Sequence, residues 1–215
     1  MLSVRTFRDL DDVADAAGQR FDVLMELADC HAALGDLDRA HCCYRQAARL
    51  EPGRPEPHVG LGVVGVQLDR LDDAEDAFDA AARREPTCAE AYGGLAMVRQ
   101  RRGDHAGAFD MHLKCLELDT DNLVALLGLF QTSCQMGTFA KIIHYLEVYL
   151  GRHPGDTSVL FCLATLYARE GHFAGARDCL LDVLALEPGK AEAEQLLDAV
   201  RRELADTQLQ DTLSV

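Results

Sequence analysis

The sequence predicts an all-α protein built as a solenoid of paired helices, and three observations predict it. First, Leu27, Leu61, Leu95, Leu129, Leu163 and Leu197 each stand 34 residues apart. Second, apolar residues within each period recur at helical spacing, as in Tyr92, Leu95 and Ala96, then Ala108, Phe109 and Leu113. Third, a polar turn containing Gly separates the two runs, as in RRGDHAG at 101–107, and Pro near the period's end stops the second run.

The period carries further positions. The residue after each of the first five leucines is Ala28, Gly62, Ala96, Phe130 or Ala164, and twelve residues on stand Ala40, Ala74, Ala108, Ile142 and Ala176. The closing residues are Pro52, Pro86, Thr120, Pro154 and Pro188. The repeats are then 21–54, 55–88, 89–122, 123–156 and 157–190, without an insertion. Each reads as a helix A, a tight turn and a helix B.

The ends read as caps, because terminal elements of a solenoid need a polar outer face. Residues 1–20 form an N-terminal capping helix: Thr6 with Asp9 makes a capping box and Gly18 a C-terminal stop, with Phe7, Leu10, Val13, Ala14 and Ala17 as the apolar stripe. Residues 191–206 form a C-terminal capping helix with Leu197, Val200 and Leu204 inward, and the polar tail 207–215 is expected to be disordered.

Composition narrows the function classes. With 21 basic and 36 acidic residues the net charge is -15, which opposes nucleic acid and anionic membrane surfaces alike. Residues 1–16 contain no apolar core of a signal peptide, and the longest apolar run, 123–130, is too short to span a bilayer. Eight Cys without such a signal fit a reducing cytoplasm, and none forms a CxxC pair, so no metal is expected. The eight His are scattered, GLGVVG at 60–65 lies within a helical run rather than after a strand, and no catalytic constellation or cofactor site results.

The repeats resemble the tetratricopeptide repeat family, most clearly at 55–88 and 89–122. Departures are Asp69 for the turn Gly, Thr120 for Pro, His112 for the core aromatic, and enlarged small positions in repeat four. The resemblance implies a right-handed superhelix whose A helices line a concave groove. It implies that groove contacts come from Met25, Asp29, Val59, Val63, Val66, Met97, Arg101, Leu127, Gln131, Phe161 and Thr165. Apolar side chains on such a face suit an extended segment or amphipathic helix, and Asp22, Glu56 and Glu90 call for Lys or Arg in it. Some relatives grip a terminal carboxylate with Lys, Asn and Arg; Met25, Asp29, Glu90 and Gly94 stand at those places, so that clamp is absent.

Repeat four is the unusual one. It has two basic and two acidic residues, against three and eight in repeat two. Phe130, Ile142 and Tyr149 fill places where close helices normally require small residues, which predicts helices set wider apart or re-angled there. Together with Tyr145 they are either a better-buried core or a candidate patch for a partner or a homo-oligomer. Gly60, Gly65, Gly93, Gly94 and Gly128 lie inside A helices with no packing need visible in the sequence, and either open the groove floor or loosen the helices. The reading is therefore a non-enzymatic cytoplasmic adaptor or scaffold that binds a protein segment. The alternatives are a dedicated chaperone of a secreted or assembling partner and a self-assembling scaffold.

Overall fold

A computed structural model describes the backbone of residues 4–213 and the side chains of residue 18 and residues 20–206. Eleven helices are found among the described residues, and no strand. They are α1 (Val4–Ala33), α2 (Leu37–Leu50), α3 (Glu56–Gln67), α4 (Leu71–Arg84), α5 (Ala89–Arg101), α6 (His105–Leu118), α7 (Leu123–Met136), α8 (Ala140–Arg152), α9 (Thr157–Arg169), α10 (Phe173–Leu186) and α11 (Ala191–Leu213). Each 34-residue span from Phe21 onward holds one A helix and one B helix. The chain divides into two compact halves, Met1–Leu118 and Asp119–Val215.

Local chemistry sets the helix ends. Asp36, Asn122 and Asp156 accept backbone N–H groups at the starts of α2, α7 and α9, which satisfies donors that the first turn leaves open. The turns between A and B helices need a left-handed residue, supplied by Gly35, Gly103, Gly137 and Gly171 at φ between 71° and 79°. In repeat two Asp69 takes that place at φ 58°.

Packing repeats with the period. Ala28, Ala40, Tyr44 and Val64 form one buried cluster, and Val66, Ala74, Phe78, Leu95 and Val98 the next. In the C-terminal half Leu160, Ala164, Ala176, Leu180, Val183, Ala193, Leu197 and Val200 form another. Within each half the B helices α2, α4, α8 and α10 therefore pack their inner faces on their own A helix and on the following one. Fully burying a side chain of the size of Phe78 or Leu180 contributes roughly 1.5–3 kcal/mol.

Four expectations need correction. There is no separate helix over 1–20, because α1 runs unbroken through Gly18 into repeat one. Glycine permits a stop without imposing one, and Gly18 does not adopt the left-handed conformation that would end the helix. The side chains of Thr6, Asp9, Phe7, Leu10, Val13, Ala14 and Ala17 lie outside the described residues. At the other end α11 continues to Leu213, past residue 206 where disorder was expected.

The third correction concerns the helical glycines. A Cβ at Gly60 would overlap the Tyr44 ring, one at Gly94 the Phe78 ring, and one at Gly65 would press on Ala74. These glycines face B helices, so their purpose is close packing rather than an open groove floor.

The fourth concerns repeat four. Ile142 and Tyr149 are buried, and Phe130 and Tyr145 are half-buried, so the candidate patch is not a continuous exposed surface. Ile142, Leu146 and Tyr149 recur at four- and three-residue steps and share one inward face of α8. Tyr149 keeps its hydroxyl satisfied by donating to Asp156 at 3.1 Å. As the steric argument requires, α7 and α8 are the most loosely apposed of the five helix pairs.

Candidate functional site

The exposed side of the A helices in the N-terminal half carries two adjoining depressions. The first, about 360 Å³, is lined by Phe21, Asp22, Met25, Glu26 and Asp29 of α1 with Arg54 and Glu56. The second, about 430 Å³, is lined by Pro55, Glu56, Val59, Glu85, Thr87, Cys88 and Glu90. Glu56 belongs to both and joins them. Apolar floor residues are thus rimmed by six carboxylates against one cation.

That cation is held in place by the protein. Arg54 donates to Glu56 at 2.7 Å, pairs with Glu51 at 3.6 Å, and lies 4.8 Å from the Phe21 ring centre. The guanidinium hydrogen bond holds the Glu56 carboxyl below its usual range, so it stays ionised well into acid. Asp29 is tied as well: Tyr44 donates its hydroxyl to Asp29 at 2.6 Å. Burial first, and this carboxylate second, push the Tyr44 phenol well above its usual range.

The other expected groove residues distribute unevenly. Val63 and Met97 are half-buried, and Val63 packs with Val59 on the Phe78 cluster. Val66 is buried, at 7% exposure, and is core rather than groove. Arg101 is exposed and turned toward Asp69, 3.4 Å away. None of these four lines the two depressions. Sequence reasoning missed Phe21, Glu26, Arg54 and Glu85, which enter the site only because residues about 30 apart in the chain become neighbours.

The C-terminal half has a depression of its own, about 470 Å³, lined by Thr165, Ala168, Arg169, Phe173, Leu196, Ala199, Val200 and Glu203. Thr165 spends its hydroxyl on the Phe161 carbonyl at 2.9 Å. Phe161 is half-buried beneath Lys190, whose Nζ is 5.8 Å from the ring centre. Leu127 and Gln131 are exposed on α7 and do not line this depression.

Burial pushes the thiols of Cys162 and Cys179 up to about 11, so both are protonated at neutral pH. Among the described residues no helix is long and apolar enough to cross a membrane.

Stacked antiparallel helix pairs of fixed length, each pair burying its face only against the next, define a helical-repeat protein. A tetratricopeptide repeat family model matches residues 26–87 and 59–114, so the N-terminal repeats are of that family. It is 28% identical over 192 residues to cellulose synthase operon protein C of Xanthomonas axonopodis pv. citri. That match takes in 86% of this chain but only 13% of the relative's length. Among solved structures, pilF of Pseudomonas aeruginosa superposes with a TM-score of 0.70 at 19% identity, covering 91% of both chains. YrrB, described as a TPR protein with an unusual peptide-binding site, superposes with a TM-score of 0.62 at 18% identity, covering 80% of this chain and 89% of YrrB. Both likenesses are of fold. Proteins of this family mediate protein–protein interactions, some of them by binding peptides, and the fold is in general that of a non-enzymatic interaction module.

Proposed function

We propose that this protein is a non-enzymatic cytoplasmic adaptor that holds a cationic, apolar-anchored segment of a partner protein along α1, α3 and α5. The observation that carries this reading is the joined pair of depressions. Phe21, Met25 and Val59 provide an apolar floor, and Asp22, Glu26, Asp29, Glu56, Glu85 and Glu90 surround it. A partner's apolar side chains gain by leaving water on that floor, while its Lys or Arg groups meet carboxylates at the rim. Acidic or carboxylate-terminated segments are repelled by the same rim.

The reading is tested with an array of amphipathic 12-residue peptides of either charge, followed by calorimetry on the tightest binders. Cationic peptides are expected to bind, to weaken with added salt, and to lose about tenfold in affinity on Val59→Lys. Equal binding of anionic and cationic peptides would refute it.

A further inference from the structure

On α3 and α11 the face made by positions 3, 7, 10 and 14 of the repeat meets the B helix before it. On α3 and its C-cap these residues are Pro57, Leu61, Val64 and Leu68, and Leu61, Val64 and Leu68 pack with Tyr44 of α2. On α11 they are Ala193, Leu197, Val200 and Leu204, which pack with Leu180 of α10. At the C-terminal end of α1 and the residue after it the same positions hold Val23, Leu27, Cys30 and Leu34, and all four are exposed, Leu27 at 46% and Leu34 at 81%. An apolar stripe with the composition of a buried joint stands in water at this end. The outward face of α11 is different: Ala191, Glu194, Asp198 and Arg201 are exposed and mainly charged.

The molecule's own joints specify what fits the stripe. Where the B helix brings an aromatic ring, Tyr44 or Phe78, position 6 of the next A helix is Gly60 or Gly94, because any Cβ there would overlap the ring. Where it brings Leu180, position 6 is Leu196 and both pack in one cluster. On α1 position 6 is Glu26, so a ring is excluded and a leucine is accepted. Glu26 and Asp22 flank the stripe and favour a basic cover. A second copy of this chain has no such helix to offer, since the inward faces of α2, α4, α6, α8 and α10 are all buried.

We propose that an amphipathic helix of another protein docks on Val23, Leu27, Cys30 and Leu34 as an additional B helix. Its buried residues repeat the Ala176, Leu180, Val183 pattern of α10, and Lys or Arg lies toward Glu26. This surface shares Asp22 and Glu26 with the rim of the groove, but its apolar stripe is distinct from the groove floor of Phe21, Met25 and Val59.

The probe is a synthetic peptide of residues 173–186 carrying C179A, L181K and L186K; Leu181 and Leu186 are exposed in the protein, so both lysines point outward. Titrated into the labelled protein, it is expected to shift the Leu27 and Cys30 amides saturably. Leu27→Glu in the protein is expected to weaken binding about tenfold or more, with unchanged circular dichroism because Leu27 is exposed. A peptide also carrying L180F is expected to bind about tenfold more weakly, and Glu26→Gly in the protein to restore it. Val59→Lys in the groove leaves these values unchanged. The proposal is overturned by failure to saturate, by equal binding to Leu27→Glu, or by a dimer in light scattering that Leu27→Glu dissolves, which would make a second copy the occupant.

Discussion

The Phe78 ring lies directly over the Cα of Gly94, in the space a side chain at residue 94 would need. Gly94→Ala must therefore displace a fully buried ring, and overpacking of this kind costs about 1–3 kcal/mol. The gain in helix propensity, about 1 kcal/mol, offsets part of it. Urea unfolding is expected to show a net loss of about 1–2 kcal/mol. Adding Phe78→Leu should make the same glycine substitution neutral or favourable, as a double-mutant cycle will report.

Asp69 holds φ 58° where the other four A–B turns use glycine. A residue with a Cβ is strained in that conformation, although Asp tolerates it better than most. Its ion pair with Arg101 is between exposed groups and contributes little. Asp69→Gly is expected to raise stability by about 0.5–1 kcal/mol in thermal unfolding, after subtracting the glycine's greater unfolded-state freedom.

His112 occupies the core place that Tyr44 and Phe78 fill in the first two repeats. Its ring is buried, Nδ1 and Nε2 make no hydrogen bond, and burial lowers its pKa to about 4. The unfolded chain binds the proton near 6.5, so stability is lost as pH falls from about 6.5 to about 4 and is constant above that window. The loss amounts to about 3 kcal/mol. His112→Phe should remove this component, so the stability difference between variant and parent widens steadily on acidification over that window. A constant difference would show that the histidine does not titrate with folding.

How much of this was legible in the sequence follows from the range over which each signal acts. The 34-residue register and the helix pairs were, because Leu27 to Leu197, the turn glycines and the closing prolines are local signals repeated in phase. Gly18 misled because a glycine only permits a stop, and nothing beyond it provides a turn. Gly60 and Gly94 were opaque because their partners, Tyr44 and Phe78, lie 16 residues away on another helix. In the groove the acidic rim was partly visible at Asp22, Glu56 and Glu90. The burial of Val66 and the diversion of Arg101 to Asp69 depend on neighbouring repeats.

Arg84 and Arg152 occupy the same place in repeats two and four and both reach back to the preceding repeat. Arg84 donates to the Pro52 carbonyl at 2.6 Å, and Arg152 to Thr120 at 2.7 Å and Asp121 at 2.9 Å. Each cation fastens a loop between helix pairs. Arg84→Ala is expected to cost about 1 kcal/mol and to speed amide exchange at Gly53 and Arg54, with little change near Thr120.

Tyr44 links fold and groove through its 2.6 Å hydrogen bond to Asp29. Tyr44→Phe keeps the ring packed against Gly60 and removes only the donor. The fold is expected to lose about 1 kcal/mol, the usual net contribution of such a bond. Asp29 is exposed enough to be rehydrated, so no charge is stranded in the core. Its carboxylate is then unengaged and becomes a stronger acceptor for a ligand's Lys or Arg. Affinity for a cationic groove peptide should therefore rise while stability falls, a divergence that calorimetry and urea unfolding on one variant can measure. If affinity falls in step with stability, Asp29 serves the fold alone and the acidic rim begins at Asp22 and Glu26.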